Sequence, residues 1–172
     1  MRPERGDYPE YYDRYMVMVE SGDIVKVMEN QLQTTGNFFN SITEEQGDIA
    51  YAEGKWTVKE VIGHVNDTER IMAYRALAIA RGEKKSLPGF EQNEYVANSN
   101  FTKRILTDLI EEYRTLRASN IILFNSFTEN ELSKKGYANE SEISVLSLAF
   151  IIAGHELHHI KILKERYLKV LD

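Results

Sequence analysis

The chain reads as an all-α protein, a four-helix bundle with a long crossover between its second and third helices. Three observations predict this. Four stretches of roughly 20 residues carry apolar side chains at three- and four-residue spacing, the period of a helix that buries one face. No run alternates apolar and polar residues over a useful length, so no strands are expected. Of the three connections, the one after the second helix is long and aperiodic, EKKSLPGFEQNEYVANSN, with Pro88-Gly89 marking a turn. Residues 1–172 are expected to form one domain. Residues 1–20 should be an N-terminal arm or short helix that packs the tyrosines of Tyr8 to Val19 on the bundle.

Each helix has its own signals. The first opens at Ser21-Gly22-Asp23 and carries Ile24, Val27, Met28, Thr35, Phe38, Phe39 and Ile42. The second opens at Thr57, with Glu60 three residues on in the capping-box arrangement, and stops at Arg81-Gly82. The third starts near Thr102 and carries Leu106, Leu109, Tyr113, Leu116, Leu123 and Phe127. Thr128 to Ser141 is a polar connection, and the fourth helix runs from about Ser141-Glu142 to about Leu168.

Composition narrows the function. Net charge is -6 and the isoelectric point about 5.3, without a cluster of Lys or Arg, so a nucleic-acid partner is not expected. There is no cysteine, which removes disulfides, thiolate ligands and a cysteine nucleophile together. The charged, tyrosine-rich start lacks the apolar stretch of a signal peptide, and the longest apolar run, Val145 to Ile152, is too short to span a membrane. A cytoplasmic protein that does not engage a membrane is expected.

The histidines carry the chemistry. Three of the four fall in Gly154-His155-Glu156-Leu157-His158-His159. His155 and His159 interrupt the apolar seam of the fourth helix one turn apart, where residues at i and i+4 lie one above the other. Two imidazoles so placed can reach one ion at about 2.0–2.1 Å. A lone histidine on an apolar face is commonly a core residue satisfied by one hydrogen bond, but two in one seam each bring nitrogens that need partners. His64 flanks the apolar stripe of the second helix and is the candidate third ligand, since bundles build metal sites from facing helices. His158 lies about 100° away from His159 around the helix and reads as a surface group or one that supports a ligand.

The string from His155 to His159 also spells H-E-x-x-H, the zinc-protease helix, with Glu156 as general base. The chain has Ile162 and Glu165 where the extended form needs Gly and His, and it has too few residues beyond His159 for a distant glutamate ligand. With no strands to align a peptide, the protease reading fails.

Together, Gly54-Lys55-Trp56-Thr57-Val58-Lys59-Glu60-Val61-Ile62-Gly63-His64, the late Gly154–Ile160 segment and Leu87-Pro88-Gly89-Phe90-Glu91-Gln92-Asn93 resemble the DinB-like superfamily. Within it they resemble the YfiT-like group of metal-dependent hydrolases and bacillithiol S-transferases, over about Tyr11 to Leu168. The resemblance implies a four-helix bundle with a long crossover, a divalent ion held by His64, His155 and His159, and frequent homodimers. It also implies a small-molecule substrate, with thiol S-transferases using bacillithiol or mycothiol among the relatives. Imidazole ligands suit zinc or nickel, with iron and copper possible. Three protein ligands leave a position open, as in catalytic centres.

The expected function is therefore a metal-dependent enzyme, a thiol S-transferase acting on small electrophiles with a low-molecular-weight thiol cosubstrate. The alternatives are a metal-dependent hydrolase of a small molecule and a non-catalytic, metal-binding dimeric bundle. No catalytic residue is assignable from sequence. Supporting candidates are His158, Glu156, Asp67 and Thr68, with Glu156 expected to be solvated or ion-paired and Glu69 to face elsewhere. Trp56 reads as a core anchor. Glu91, Gln92, Asn93 and Tyr95 either cover the open position or form a polar surface loop.

Overall fold

A computed structural model describes residues 1–167. A 3-10 turn (Glu10–Tyr12) leads into α1 (Asp13–Met16), followed by α2 (Ile24–Asn40), α3 (Glu44–Gly47) and α4 (Val58–Ala80). After these come α5 (Gln92–Ala97), a 3-10 turn (Phe101–Lys103), α6 (Leu106–Asn125) and α7 (Glu129–Ser133). A hairpin of β1 (Lys135–Ala138) and β2 (Ser141–Ser144) then leads into α8 (Val145–Ile162), which continues as a π-helical turn through Leu163–Tyr167. The four long helices are α2, α4, α6 and α8, as the periodicity predicts. The expected end of the last helix near Leu168 lies outside the described residues.

Local chemistry explains the starts and stops. Asp23 caps α2 by accepting from the Val25 amide. Thr57 and Glu60 form the capping box of α4, Thr57 Oγ1 accepting from the Glu60 amide and the Glu60 carboxylate from the Thr57 amide. Gly82, at φ 93°, takes the left-handed conformation that ends α4.

The bundle is cyclic in the order α2, α6, α4, α8, with α4 against α8 the most extensive pair. Contacts between α4 and α6 ascend together: the Asn66 amide donates to the Leu109 carbonyl, and Glu69 meets Arg117. These two helices therefore run parallel, which the long connection between them makes possible. α4 and α8 run antiparallel, since Tyr167 at the end of one reaches the Trp56 carbonyl before the start of the other.

Two apolar clusters fill the interior. One gathers Met28, Met72, Ala76, Phe124 and Leu148, the other Phe39, Ile62, Leu109, Tyr113 and Leu163. α8 is buried nearly all round, from Val145 through Glu156. Its stretch to Tyr167 has a mean hydropathy of 1.2, enough by length and composition to cross a membrane, but 78% of that window is buried inside the bundle. Burial of this kind is what a central core helix requires.

Three expectations need correction. The Thr128–Ser141 connection is not merely polar loop: it holds α7 and the hairpin, and α8 starts at Val145 instead of Ser141. Asn139 and Glu140, at φ 49° and 59°, form a two-residue turn that pairs Ala138 with Ser141 and Lys135 with Ser144. Four-residue strands are too short to show an alternation, and Ser144, not Ser141, caps α8 by accepting from the Ser147 amide. The third long helix starts at Leu106, because the Phe101–Lys103 turn ends with Arg104 in an extended conformation. The crossover is also not structureless, since Glu91 caps α5 within it.

Candidate metal centre

His64 lies near the start of α4, and His155 and His159 lie one turn apart on α8. The antiparallel packing of these helices brings all three together. His155 Nε2 is 3.0 Å from His64 Nε2 and 3.1 Å from His159 Nε2. All three rings offer a nitrogen within 4.8 Å of the others. All three residues are buried.

Burial pushes the His64 imidazole down to about 4, and burial followed by the neighbouring imidazoles holds His155 and His159 well below the ordinary histidine range. The rings are therefore neutral near pH 7, each with a lone pair to give. A neutral imidazole nitrogen carries either one proton or one lone pair. His155 Nε2 can thus make one good hydrogen bond to a neighbouring nitrogen, not two. A cation at the convergence point would accept lone pairs from all three rings, so the donor set fits a divalent metal.

The surroundings are aromatic. The Trp56 ring packs on His64 at 4.9 Å between centroids, and the Tyr15 ring meets His155 edge-on at 5.3 Å. Gly154, one residue before His155, lets the backbone of Tyr15 lie directly on α8, since a Cβ there would meet the Tyr15 carbonyl. Burial raises the Tyr15 phenol to about 12, so it remains a protonated donor at the site.

His64 and His155 open onto a cavity of about 440 Å³. One wall is the α4 stripe His64, Thr68, Met72 and Arg75; the roof is the N-terminal arm with Tyr12 and Tyr15. Gly89 to Gln92 of the crossover and Ala138, Asn139 and Ser141 of the hairpin close the far side.

The model of the DinB superfamily matches residues 28–163, a span that contains all three histidines, the whole of α4, α6 and α8, and α2 from Met28 on. The chain belongs to the DinB superfamily. A protein of Oceanobacillus iheyensis, named for a proposed metal-dependent hydrolase activity, is 25% identical over 141 residues, 81% of each chain. YfiT from Bacillus subtilis, described as a probable metal-dependent hydrolase with an unusual four-helix bundle topology, matches with a TM-score of 0.77 at 16% identity. The match covers 99% of this chain and 93% of that one. A mycothiol-dependent maleylpyruvate isomerase matches with a TM-score of 0.64 at 14% identity, over 80% of this chain and 58% of the isomerase. At these identities the two structures establish the shared bundle fold.

The supporting candidates in this DinB-superfamily protein separate clearly. Thr68 lines the cavity, and its buried Oγ1 has no hydrogen-bond partner. His158 is half-buried, edge-on to Tyr15 at 5.5 Å and to His159 at 5.2 Å. Asp67 faces away from the imidazoles, toward Arg70 at 3.8 Å. Trp56 is half-buried and serves the site through its ring on His64.

Glu156 is not solvated. It is fully buried and ion-paired, accepting from Thr35 Oγ1 at 2.6 Å and Tyr113 Oη at 2.9 Å, with Arg117 Nη2 at 2.6 Å. Its position 100° from His155 directs it at α2 and α6, which cover that side of α8. Glu69, expected merely to face elsewhere, holds the same Arg117 through two bonds of 2.8 and 2.9 Å. Sequence reasoning missed Arg117 and Arg75, since a single arginine in an amphipathic helix reads as a surface charge. The available signal for Arg75 was its spacing: 11 residues from His64 returns to about the same helical face.

Of the crossover candidates, Glu91 and Gln92 line the cavity. Asn93 and Tyr95 do not, and Tyr95 is 48% exposed.

Proposed function

We propose that His64, His155 and His159 hold one divalent ion, zinc or nickel, and that the protein is a metal-dependent enzyme transferring a low-molecular-weight thiol to a small electrophile. The observation that carries this reading is the convergence of three buried, neutral imidazoles at the end of a cavity large enough for a small molecule. When bound, such an ion supplies a Lewis acid that keeps a thiolate or hydroxide available at neutral pH.

The chain's own residues prepare the place. Trp56, just before α4, packs on the ring of His64, and Tyr15 of α1 packs edge-on against that of His155. The N-terminal arm and the Gly89–Gln92 segment restrict water, which strengthens electrostatic interactions within. The Tyr15 hydroxyl is a protonated donor on the cavity wall, suited to steady negative charge on a reacting molecule.

The thiol reading is supported by the family resemblance and by the shared fold with a mycothiol-dependent isomerase. A chain without cysteine would draw its sulfur from a cosubstrate. Hydrolysis of a small molecule is the second reading, favoured by the names of the Oceanobacillus protein and of YfiT. Elemental analysis of purified protein tests the ion, with about one equivalent expected, and His159→Ala should weaken retention by at least about 100-fold in a chelator competition. Bacillithiol with monobromobimane tests the transfer. A rate no higher than in chelator-treated protein excludes that reaction for those substrates, and absence of tight metal binding refutes the centre.

A further inference from the structure

We propose that Arg75 is the docking point for a carboxylate on the small molecule whose other end meets His64, His155 and His159. The proposal rests on the metal reading above and adds the chemical class of the ligand.

Arg75 is 3% exposed, yet no carboxylate lies within 4.0 Å of it among the described residues. The other arginine buried this deeply, Arg117, has both Glu69 and Glu156. A buried guanidinium without a counter-charge is costly, and burial lowers its affinity for a proton. What Arg75 touches is neutral. Nη2 donates to the Pro88 carbonyl at 2.6 Å, Nη1 contacts Met72 Sδ at 3.6 Å, and the Phe90 ring centroid is 5.8 Å from Cζ. The Tyr12 hydroxyl stands beside it.

The guanidinium faces the same cavity as His64 and His155. Glu91, the one carboxylate on its wall, caps α5 by accepting from the Asn93 and Glu94 amides. The cavity thus presents one uncompensated cation on the same α4 wall as His64, with His155 also lining it. A planar fork of N–H donors favours a carboxylate, which can accept two bonds at once.

Spacing sets the ligand's length. Eleven residues of helix separate His64 and Arg75 by about 16 Å along the axis. The Arg75 side chain runs back over Met72 toward His64, shortening the gap between functional groups to roughly 10 Å. The ligand is therefore a carboxylic acid whose thiol or electrophilic group lies about that far from its carboxylate.

The test uses cobalt-loaded full-length protein and two thiols of matched reach, 6-mercaptohexanoate and 6-mercaptohexanol. Calorimetry gives the affinities, and the cobalt–thiolate absorption reports whether sulfur reaches the histidines. The acid should bind at least about tenfold more tightly than the alcohol, the scale of a charge-assisted hydrogen bond. Arg75→Gln should reduce that preference below about twofold with cobalt uptake intact, and Arg75→Lys, which keeps the cation, should retain part of it. Circular dichroism melts confirm that each variant is folded. Equal affinities in the wild type, or an acid preference that survives Arg75→Gln, overturn the carboxylate site while leaving the metal centre standing. Failure of the wild type to take up cobalt refutes the histidine site, and the carboxylate proposal with it.

Discussion

Acidifying the metal-free protein forces protons onto imidazoles that the fold holds neutral. His64 has an ordinary value of 6.5 in the unfolded chain and about 4 in the folded one. Between those values the unfolded state binds more protons, so stability is complete above about pH 6.5 and declines as the pH falls. For His64 alone the loss reaches about 2.5 kcal/mol at about pH 4.5. His155 and His159 act in the same direction because burial lowers them too.

Urea denaturation in the presence of a chelator, repeated at intervals from about pH 7 to about pH 4.5, measures the slope. Carboxylates titrate over part of the same range, so the His64 share is the difference between wild type and His64→Gln. That difference should grow by about 2 kcal/mol or more across the interval. Parallel curves for the two proteins would refute the claim that burial keeps His64 neutral. Metal-loaded wild type should be more stable than the apo protein near neutral pH, with the gap closing as protons displace the ion.

Other expectations follow from the polar interior. Arg117→Met strands Glu69 and Glu156 without a cation and should cost about 3–5 kcal/mol in urea unfolding, with part recovered when Glu69→Gln is added. A loss below about 1 kcal/mol would show that the pair is effectively solvated. Gly154→Ala introduces a Cβ where the Tyr15 carbonyl lies. It should cost about 1–3 kcal/mol and loosen the N-terminal arm, read as faster amide exchange in residues 10–16 than in the wild type.

The buried network gives Glu156, the residue after His155, a structural role of its own. It ties α8 to Thr35 of α2 and Tyr113 of α6, and Arg117 links it to Glu69 of α4. All four long helices therefore meet at one polar layer, which fixes the rotation of α8 and with it the direction in which His155 and His159 point. Charged groups in such a layer are satisfied only in one register, since a slip would leave a buried charge unpaired.

How much of this was legible in the sequence follows the range of each interaction. Thr57 and Glu60 are three residues apart, and His155 and His159 four, so their geometry follows from the helix itself. The four long helices, the caps of α2 and α4 and the stacking of His155 over His159 on one face of α8 were therefore determined by sequence alone. His64 needed the resemblance as well, because period places it on a stripe without saying which helix faces that stripe. Glu156, Glu69 and Arg117 are separated by 39 to 87 residues, and nothing in their local pattern distinguishes a buried ion pair from a solvated face. The same holds for Arg75, whose isolation appears only once the arm, the crossover and the hairpin enclose the cavity. Helical period determines which face a residue occupies. The tertiary structure decided what covers that face, and so which charges were paired and which one was left facing the cavity.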